Sequence, residues 1–368
     1  MSESAKPPTH EHFRLNCLTG LIKSSNIVLP TVKRQQANQA IDHSSPKVSI
    51  GLPVYNGENY LREAITSLLG QTYTEFELII SDNASTDSTQ AICEEFAAQD
   101  SRIRYYRADK NHGASWNHSF VITHAKAPLF KLAAHDDVCL PTHLERCVAA
   151  LDANPTAQLA YTRTLMMHGD QSSMTFYQDD VELSSLNAAI RYGDLIHAAP
   201  PAFPIFGVVR TQALRSIPGF EPYKASDRVV LIRLALMHPF VFIDEPLFQY
   251  RWHATNASNL MASGNGFYTW WNPNAGQGRV FPECRIVYEH LRSVFLIPLS
   301  WSERRACLRE WWHWVINNRQ RIGLELKQLY SRAPLPPYPT LTLIDQAMVR
   351  RARAEFKARA YPNKSAHS

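Results

Sequence analysis

At 368 residues, with hydrophobic side chains at 45% and charged ones at 19%, the chain can bury a full core and is not a disordered segment. A formal charge of +5 is too mild to argue for nucleic acid. Six cysteines with neither metal-ligand spacing nor a dense disulfide pattern point to reduced thiols in a cytoplasmic protein. The N-terminus shows no signal-peptide pattern, and no apolar run reaches the roughly 18 residues that span a bilayer. The stretch 229–243 comes nearest, but Arg233 and Pro239 interrupt it. The expectation is a protein that is soluble or peripheral to a membrane.

Residues 1–46 are polar and aperiodic and read as a poorly ordered arm. Val48 to Val54 reads as a strand, and Leu61, Ala64, Ile65, Leu68 and Leu69 then trace one helix face that Gly70 stops. A second strand, Phe76 to Ser81, ends in Asp82-Asn-Ala-Ser-Thr-Asp87 before a helix carrying Ile92, Cys93 and Phe96. Ile103 to Tyr106 is a third strand, and Asn111-His-Gly-Ala-Ser-Trp-Asn117 opens another helix. The apolar run Leu129 to Ala134 reads as a buried strand that runs into His135, Asp136 and Asp137; Pro141 starts the next helical pattern, Leu144, Val148 and Leu151. Strand–helix alternation with short links predicts an α/β fold with a doubly wound, mostly parallel sheet.

Adjacent carboxylates at a strand end repel each other. They serve either to cap the following helix or to hold a hard divalent cation that also takes substrate phosphates. No turn carries G-x-G-x-x-G or G-x-x-x-x-G-K-[ST], which argues against a dinucleotide-binding dehydrogenase and a P-loop NTPase.

Four motifs, in order and near the right spacing, resemble the nucleotide-sugar half of a family 2 glycosyltransferase of GT-A fold: Pro53-Val-Tyr-Asn-Gly-Glu58, Asp82 to Asp87, Asn111-x-Gly113 with Asn117, and Asp136-Asp137. The resemblance implies that Pro53, Tyr55 and Glu58 line the base and ribose pocket. It implies that Asp82, with Asn83 beside it, meets the base N–H, and that Asn111, Gly113 and Asn117 border ribose and diphosphate. Asp136 and Asp137 stand at the family's metal motif, so a Mn2+ or Mg2+ ion is the implied cofactor. Many members read Asp-x-Asp-Asp; here Ala134 takes the first position. His135 is more simply structural.

The stretch 163–204, with Asp179-Asp180, Tyr192 and Asp194, reads as substrate-surrounding loops. Phe206 to Arg210 is a strand, and Ser226-Asp227 precedes an amphipathic helix with Val230, Leu231, Leu234 and Met237 inward. The family places Glu-Asp here, so Asp227 matches the general base while Ser226 replaces the supporting Glu; a plain N-cap is the alternative for Asp227. Phe240 to Ile243 and Leu247 to Tyr250 are two more strands. Arg251-Trp-His253 matches a Tyr-Arg-x-His ending of non-processive relatives, which would put His253 by the diphosphate or its metal. Gln249-Tyr-Arg-Trp252 is one residue short of the Gln-x-x-Arg-Trp signature of processive synthases.

The expected organisation is a catalytic domain over 47–260, split at 140 into nucleotide-sugar and acceptor halves, followed by a basic helical C-terminal extension over 261–368. Within the extension, 262–282 reads as a loop and Ser302 to Tyr330 as one helix. From 301 to 361 there are 12 Lys/Arg against 5 Asp/Glu, with Trp301, Trp311, Trp312 and Trp314 among them. Such a helix is a lid with a solvated basic face, the simpler reading, or a membrane-surface helix. The implied activity is metal-assisted, inverting transfer of a sugar from a nucleoside diphosphate donor, UDP first, to the hydroxyl of a glycan, a lipid-linked or a small-molecule acceptor. A nucleotide-sugar-binding partner without turnover is the alternative, motivated by Ala134 and Ser226.

Overall fold

Buried apolar runs alternating with helical faces close into one mixed sheet in a computed structural model that describes residues 33–34, 45–168, 173–177, 183–198, 201–253, 271 and 281–330. Most of the predicted arm 1–46, the Asp179-Asp180 pair, most of 262–282 and the basic segment after Tyr330 lie outside the described residues. The strands are β1 (Lys33–Arg34), β2 (Val48–Val54), β3 (Phe76–Asp82), β4 (Ile103–Arg107), β5 (Leu129–Leu132), β6 (Val138–Cys139), β7 (Leu159–His168), β8 (Ser173–Phe176), β9 (Val208–Arg210) and β10 (Phe240–Trp252). Their order is β1-β4-β3-β2-β5-β9-β7-β10-β6, with β8 on β7.

β4, β3, β2 and β5 pair in parallel, as do β7 and β10, and β9 lies antiparallel between β5 and β7. Those six strands therefore run the same way and deliver their C-terminal ends to one edge, where open α/β sheets bind ligands. The sheet continues from the predicted nucleotide-sugar half into the predicted acceptor half. β2 and β3 are buried at every position, as strands covered on both faces must be.

Helices α1 (Leu61–Leu69), α2 (Thr89–Gln99) and α4 (His143–Ala153) cover one face through Leu61, Ile65, Ile92, Leu144 and Leu151. On the other face lie α3 (Ala114–His124), α5 (Ala188–Ala198), the short α6 (Thr211–Arg215) and α7 (Ser226–Met237). The packing under α3 is close: a Cβ on Gly51 of β2 would come within 2.7 Å of Val121 and Phe130. Helices α8 (Pro282–Leu296), α9 (Trp301–Asn317) and α10 (Arg319–Tyr330) add a further layer, with Val294, Cys307 and Trp314 in the same core. Among the described residues no helix is long and apolar enough to cross a membrane.

Five local expectations are corrected. The stretch 163–204, read as loops, holds the end of β7, all of β8 and helix α5, on which Tyr192 and Asp194 are buried. The two strands predicted around 240–250 are one, β10; its register against β7 shifts between Ile243 and Phe248, where Pro246 has no N–H to donate. The helix predicted over 302–330 is two, parted at Asn318, whose side-chain amide bonds the Trp314 carbonyl and competes with the backbone ladder. Helix α8 was not expected at all.

Helix α7 is buried almost all round, Val229 to Leu236, rather than amphipathic. Arg233 sits there fully buried because Glu289 of α8 pairs with it at 2.7 Å and the Pro218 carbonyl accepts from it at 2.8 Å. Removing one partner of such a pair costs about 3–5 kcal/mol, so this contact ties helix α8 to helix α7 on the sheet.

Candidate functional site

The turns after β2 and β3 are stitched to each other. Asn56, at φ 51°, donates its backbone N–H to Ser85 Oγ (2.9 Å) and accepts from the Thr86 N–H (2.9 Å). Gly57 N–H donates to Thr89 Oγ1 at 2.8 Å. The Glu58 carboxylate accepts from Ser88 N–H at 3.0 Å, so it is committed to the start of α2. Tyr55 remains half-buried beside this double turn, and Pro53 is buried in β2 opposite Ser81.

Asp82 departs from the expected role. It is 0% exposed, and its carboxylate accepts from Ser85 N–H (2.8 Å), the Tyr105 hydroxyl (3.0 Å) and the Arg107 guanidinium. A carboxylate with no exposed surface and three internal donors anchors the strand end; it does not reach for a base. The neighbouring Arg107, one-third exposed and also bonded to the Ser85 carbonyl, is the accessible group there, and β4 presented no sequence signal for it.

The next group bonds to itself. Asn83 Nδ2 donates to Asn111 Oδ1 (2.9 Å), and Asn83 Oδ1 accepts from His112 N–H (2.9 Å). Gly113, at φ 87°, donates its N–H to Asn111 Oδ1 at 2.8 Å and adopts a backbone that a side chain would strain. Asn117, buried in α3, donates to the Val54 and Ser81 carbonyls at 3.2 and 3.0 Å, where β2 and β3 part.

Past β5, Asp136 and Asp137 meet the end of β10. Asp136 Oδ2 lies 2.8 Å from His253 Nε2. Asp137 Oδ1 accepts from Arg251 N–H at 2.9 Å, while its Oδ2 is buried without a partner. The Arg251 guanidinium bonds the Asp136 carbonyl (2.9 Å) and Glu63 (2.5 Å) and stacks 4.6 Å over the Tyr60 ring, itself 5.0 Å from the His253 ring. The carboxyls diverge. Burial pushes Asp136 up, but His135 and His253 outweigh it and hold it below the usual carboxylate range. Burial, then the charge of Asp136, pushes Asp137 well above it. The pair is therefore not a helix cap: α4 starts at His143, after Thr142.

Asp227 is built from other elements. It is half-buried in the first turn of α7, where Ala225 (φ 61°), not Asp227, is the cap residue; Oδ1 accepts from Arg228 N–H at 2.8 Å. Ser226 Oγ is buried without a partner, so it does not stand in for a supporting carboxylate. The ring of His118 on α3 feels the charge of Asp227; burial nonetheless pushes His118 below its ordinary value. Its Nδ1 faces the Ala114 carbonyl at 2.7 Å, and a carbonyl only accepts, so the neutral ring carries its proton there and leaves Nε2 as a lone pair. The Phe220 and Trp271 rings lie tilted against this ring, their centroids 4.9 and 5.7 Å away. Sequence reading missed His118, one residue after the recognised Asn117. The opposite end of the sheet has a cleft, lined by Asn154, Ala157, Leu186 and Phe242 among others, with no ionisable side chain.

With this geometry in view, the chain's likenesses are informative. Along 85% of its length it superposes on 81% of the Staphylococcus aureus TarS fragment 1–349, solved with UDP-GlcNAc, at TM-score 0.54 and 17% identity. The fold is the GT-A fold. Residues 49–197 match the family model "Glycosyl transferase family 2". Glycosyltransferase GlyG of Streptococcus pneumoniae is 26% identical over 220 residues, 56% of this chain and 71% of GlyG. An uncharacterized glycosyltransferase of Rickettsia typhi is 31% identical over 155 residues, 42% of this chain. The match spans 48% of that relative, about half its length. Residues 49–197, less than half of the chain, are thus similar to glycosyl transferase family 2.

Proposed function

We propose that the chain transfers a sugar from a nucleoside diphosphate sugar to an acceptor hydroxyl, with inversion, at the C-terminal edge of β2, β3, β5 and β10. The observation that carries this reading is the meeting of Asp136, Asp137, Arg251 and His253 on the same sheet edge as the interlocked Asn83, Asn111 and Gly113, in a chain whose residues 49–197 match the family 2 model. Uridine nucleotides are the first donors to test because the TarS fragment was solved with one.

Among the described residues no three His, Cys, Asp or Glu side chains form a ready metal cage. A hard ion that takes diphosphate oxygens and water needs only one or two carboxylates. The orphaned Asp137 Oδ2 and the Asp136–His253 pair fit Mn2+ or Mg2+ on those terms. When bound, such an ion supplies Lewis-acid neutralisation of the departing diphosphate. Asp227 takes the acceptor proton as the acceptor oxygen bonds to the anomeric carbon; the anomeric C–O bond breaks, and its electron pair leaves with the nucleoside diphosphate. Arg251 holds the Asp136–Asp137 turn in place by two bonds, from its backbone N–H and its Nε, while Glu63 braces the guanidinium.

Release of free nucleoside diphosphate, followed across UDP-, GDP- and dTDP-sugars with glycan and lipid-linked acceptors, tests the reading. Manganese-stimulated release with one donor is the expected result. Tight donor binding with no release for any acceptor would favour a binding partner without turnover, which Ala134 and the unpartnered Ser226 hydroxyl motivate.

A further inference from the structure

Helix α9 has two unlike faces. Cys307 and Trp314 point into the core, and Trp311 Nε1 donates to the Val287 carbonyl at 3.1 Å. On the outer face stand Trp301 (80% exposed), Arg305, Arg309, Trp312 (56%) and Ile316 (40%). At about 100° per residue these five fall within an arc of about 80°. Arg304 extends the patch by lying over the Phe295 and Trp301 rings, 5.4 and 5.8 Å from their centroids, and Phe295 is itself 55% exposed.

Among the described residues no carboxylate of α9 enters this stripe. Glu303 is turned back into a capping box with Ser300, and Glu310 faces His197 at 3.2 Å on the other side of the helix. Large apolar side chains left in water along a convex helix are costly at roughly 25 cal/mol per Å² of apolar surface, so a surface that keeps two tryptophans and two arginines there has a partner. Trp301 and Trp312 lie about 16 Å apart along the axis, too spread for one pocket and well matched to a plane. Indole rings favour the bilayer interface, and guanidinium groups pair with phosphate.

We infer that the outer face of α9 docks on a bilayer bearing anionic lipid headgroups. The docking is independent of the proposed reaction. It takes the second of the two readings of this basic helix: the inner face packs as a lid would, and the outer face carries the interface.

The test uses the full chain with vesicles of phosphatidylcholine alone and with about 30% phosphatidylglycerol, reading co-sedimentation and the tryptophan emission shift. Binding to the anionic vesicles is expected, with a loss of about tenfold or more in 0.5 M salt, and likewise in Trp301→Ser/Trp312→Ser and in Arg305→Gln/Arg309→Gln. Both double variants change exposed positions and should melt like the wild type. No binding to anionic vesicles, or equal binding by wild type and both variants, overturns the inference. So does a wild-type dimer that the Trp301→Ser/Trp312→Ser change converts to monomer, because the stripe is then a protein interface.

Discussion

Asp227→Asn should lower sugar transfer by about 10²–10⁴-fold, the usual loss on removing a general base, while leaving the melting temperature and nucleotide affinity close to wild type. The carboxylate does one structural job, accepting the Arg228 N–H at 2.8 Å, and an Asn Oδ1 accepts that bond equally well. It is not the helix cap, since Ala225 is, so the start of α7 does not depend on its charge. What Asn cannot do is take a proton. The change also spares every contact of Asp136, Asp137, Arg251 and His253, which come from the β5–β6 link and β10. Initial-rate transfer assays beside calorimetric nucleotide titrations separate the two effects. Full transfer by Asp227→Asn would remove it as the base and move the role to His118, whose ring lies close enough to feel the Asp227 charge. A collapse in melting temperature would make Asp227 structural.

Asp136→Asn and Asp137→Asn should differ, because the environment separates the two carboxyls. Asp136 is held charged by His135 and His253, so its Asn variant loses a needed anion: turnover should fall about 100-fold or more, and nucleoside diphosphate affinity should lose its dependence on Mn2+. Asp137 has its acidity suppressed by burial and by Asp136. A carboxyl whose folded pKa is raised contributes stability that is fully present below its unfolded value, about 4, and is lost as pH rises through the folded value. In EDTA the contribution of Asp137 to wild-type stability should therefore fall as pH climbs above about 4. Asp137→Asn, which keeps an acceptor for Arg251 N–H but carries no charge, should flatten that loss. Chemical denaturation across pH reads this directly. Equal pH profiles for wild type and Asp137→Asn, together with wild-type rates of both variants in EDTA, would contradict the metal reading.

The sheet was legible because its central strands are short, apolar and buried on both faces, and each is followed by a turn-and-helix pattern. Local chemistry announces such units. The motif residues were legible for the same reason: Asn83, Asn111 and Gly113 bond each other across turns that each strand end begins. What escaped depends on partners distant in sequence. Asp82 reads as a free strand-tip carboxylate until Tyr105 and Arg107, side by side with it on β4, claim it. Glu58 reads as a pocket group until the Ser88 N–H takes it. The periodicity of α7 was misread because Arg233, which should mark the wet face, is buried against Glu289, 56 residues later. The outer stripe of α9 was visible in composition, but only burial tells Trp301 and Trp312 from Trp314.

The central claim is that these strand ends bind a nucleoside diphosphate with the help of Asp136. Calorimetric titration of UDP, GDP and dTDP into the full chain, in Mn2+ and in EDTA, tests it most directly. The account predicts one-to-one binding of at least one of them, about tenfold or more tighter in Mn2+ than in EDTA, with that difference gone in Asp136→Asn. Failure of all three nucleotides to bind at millimolar concentration in either condition would contradict it.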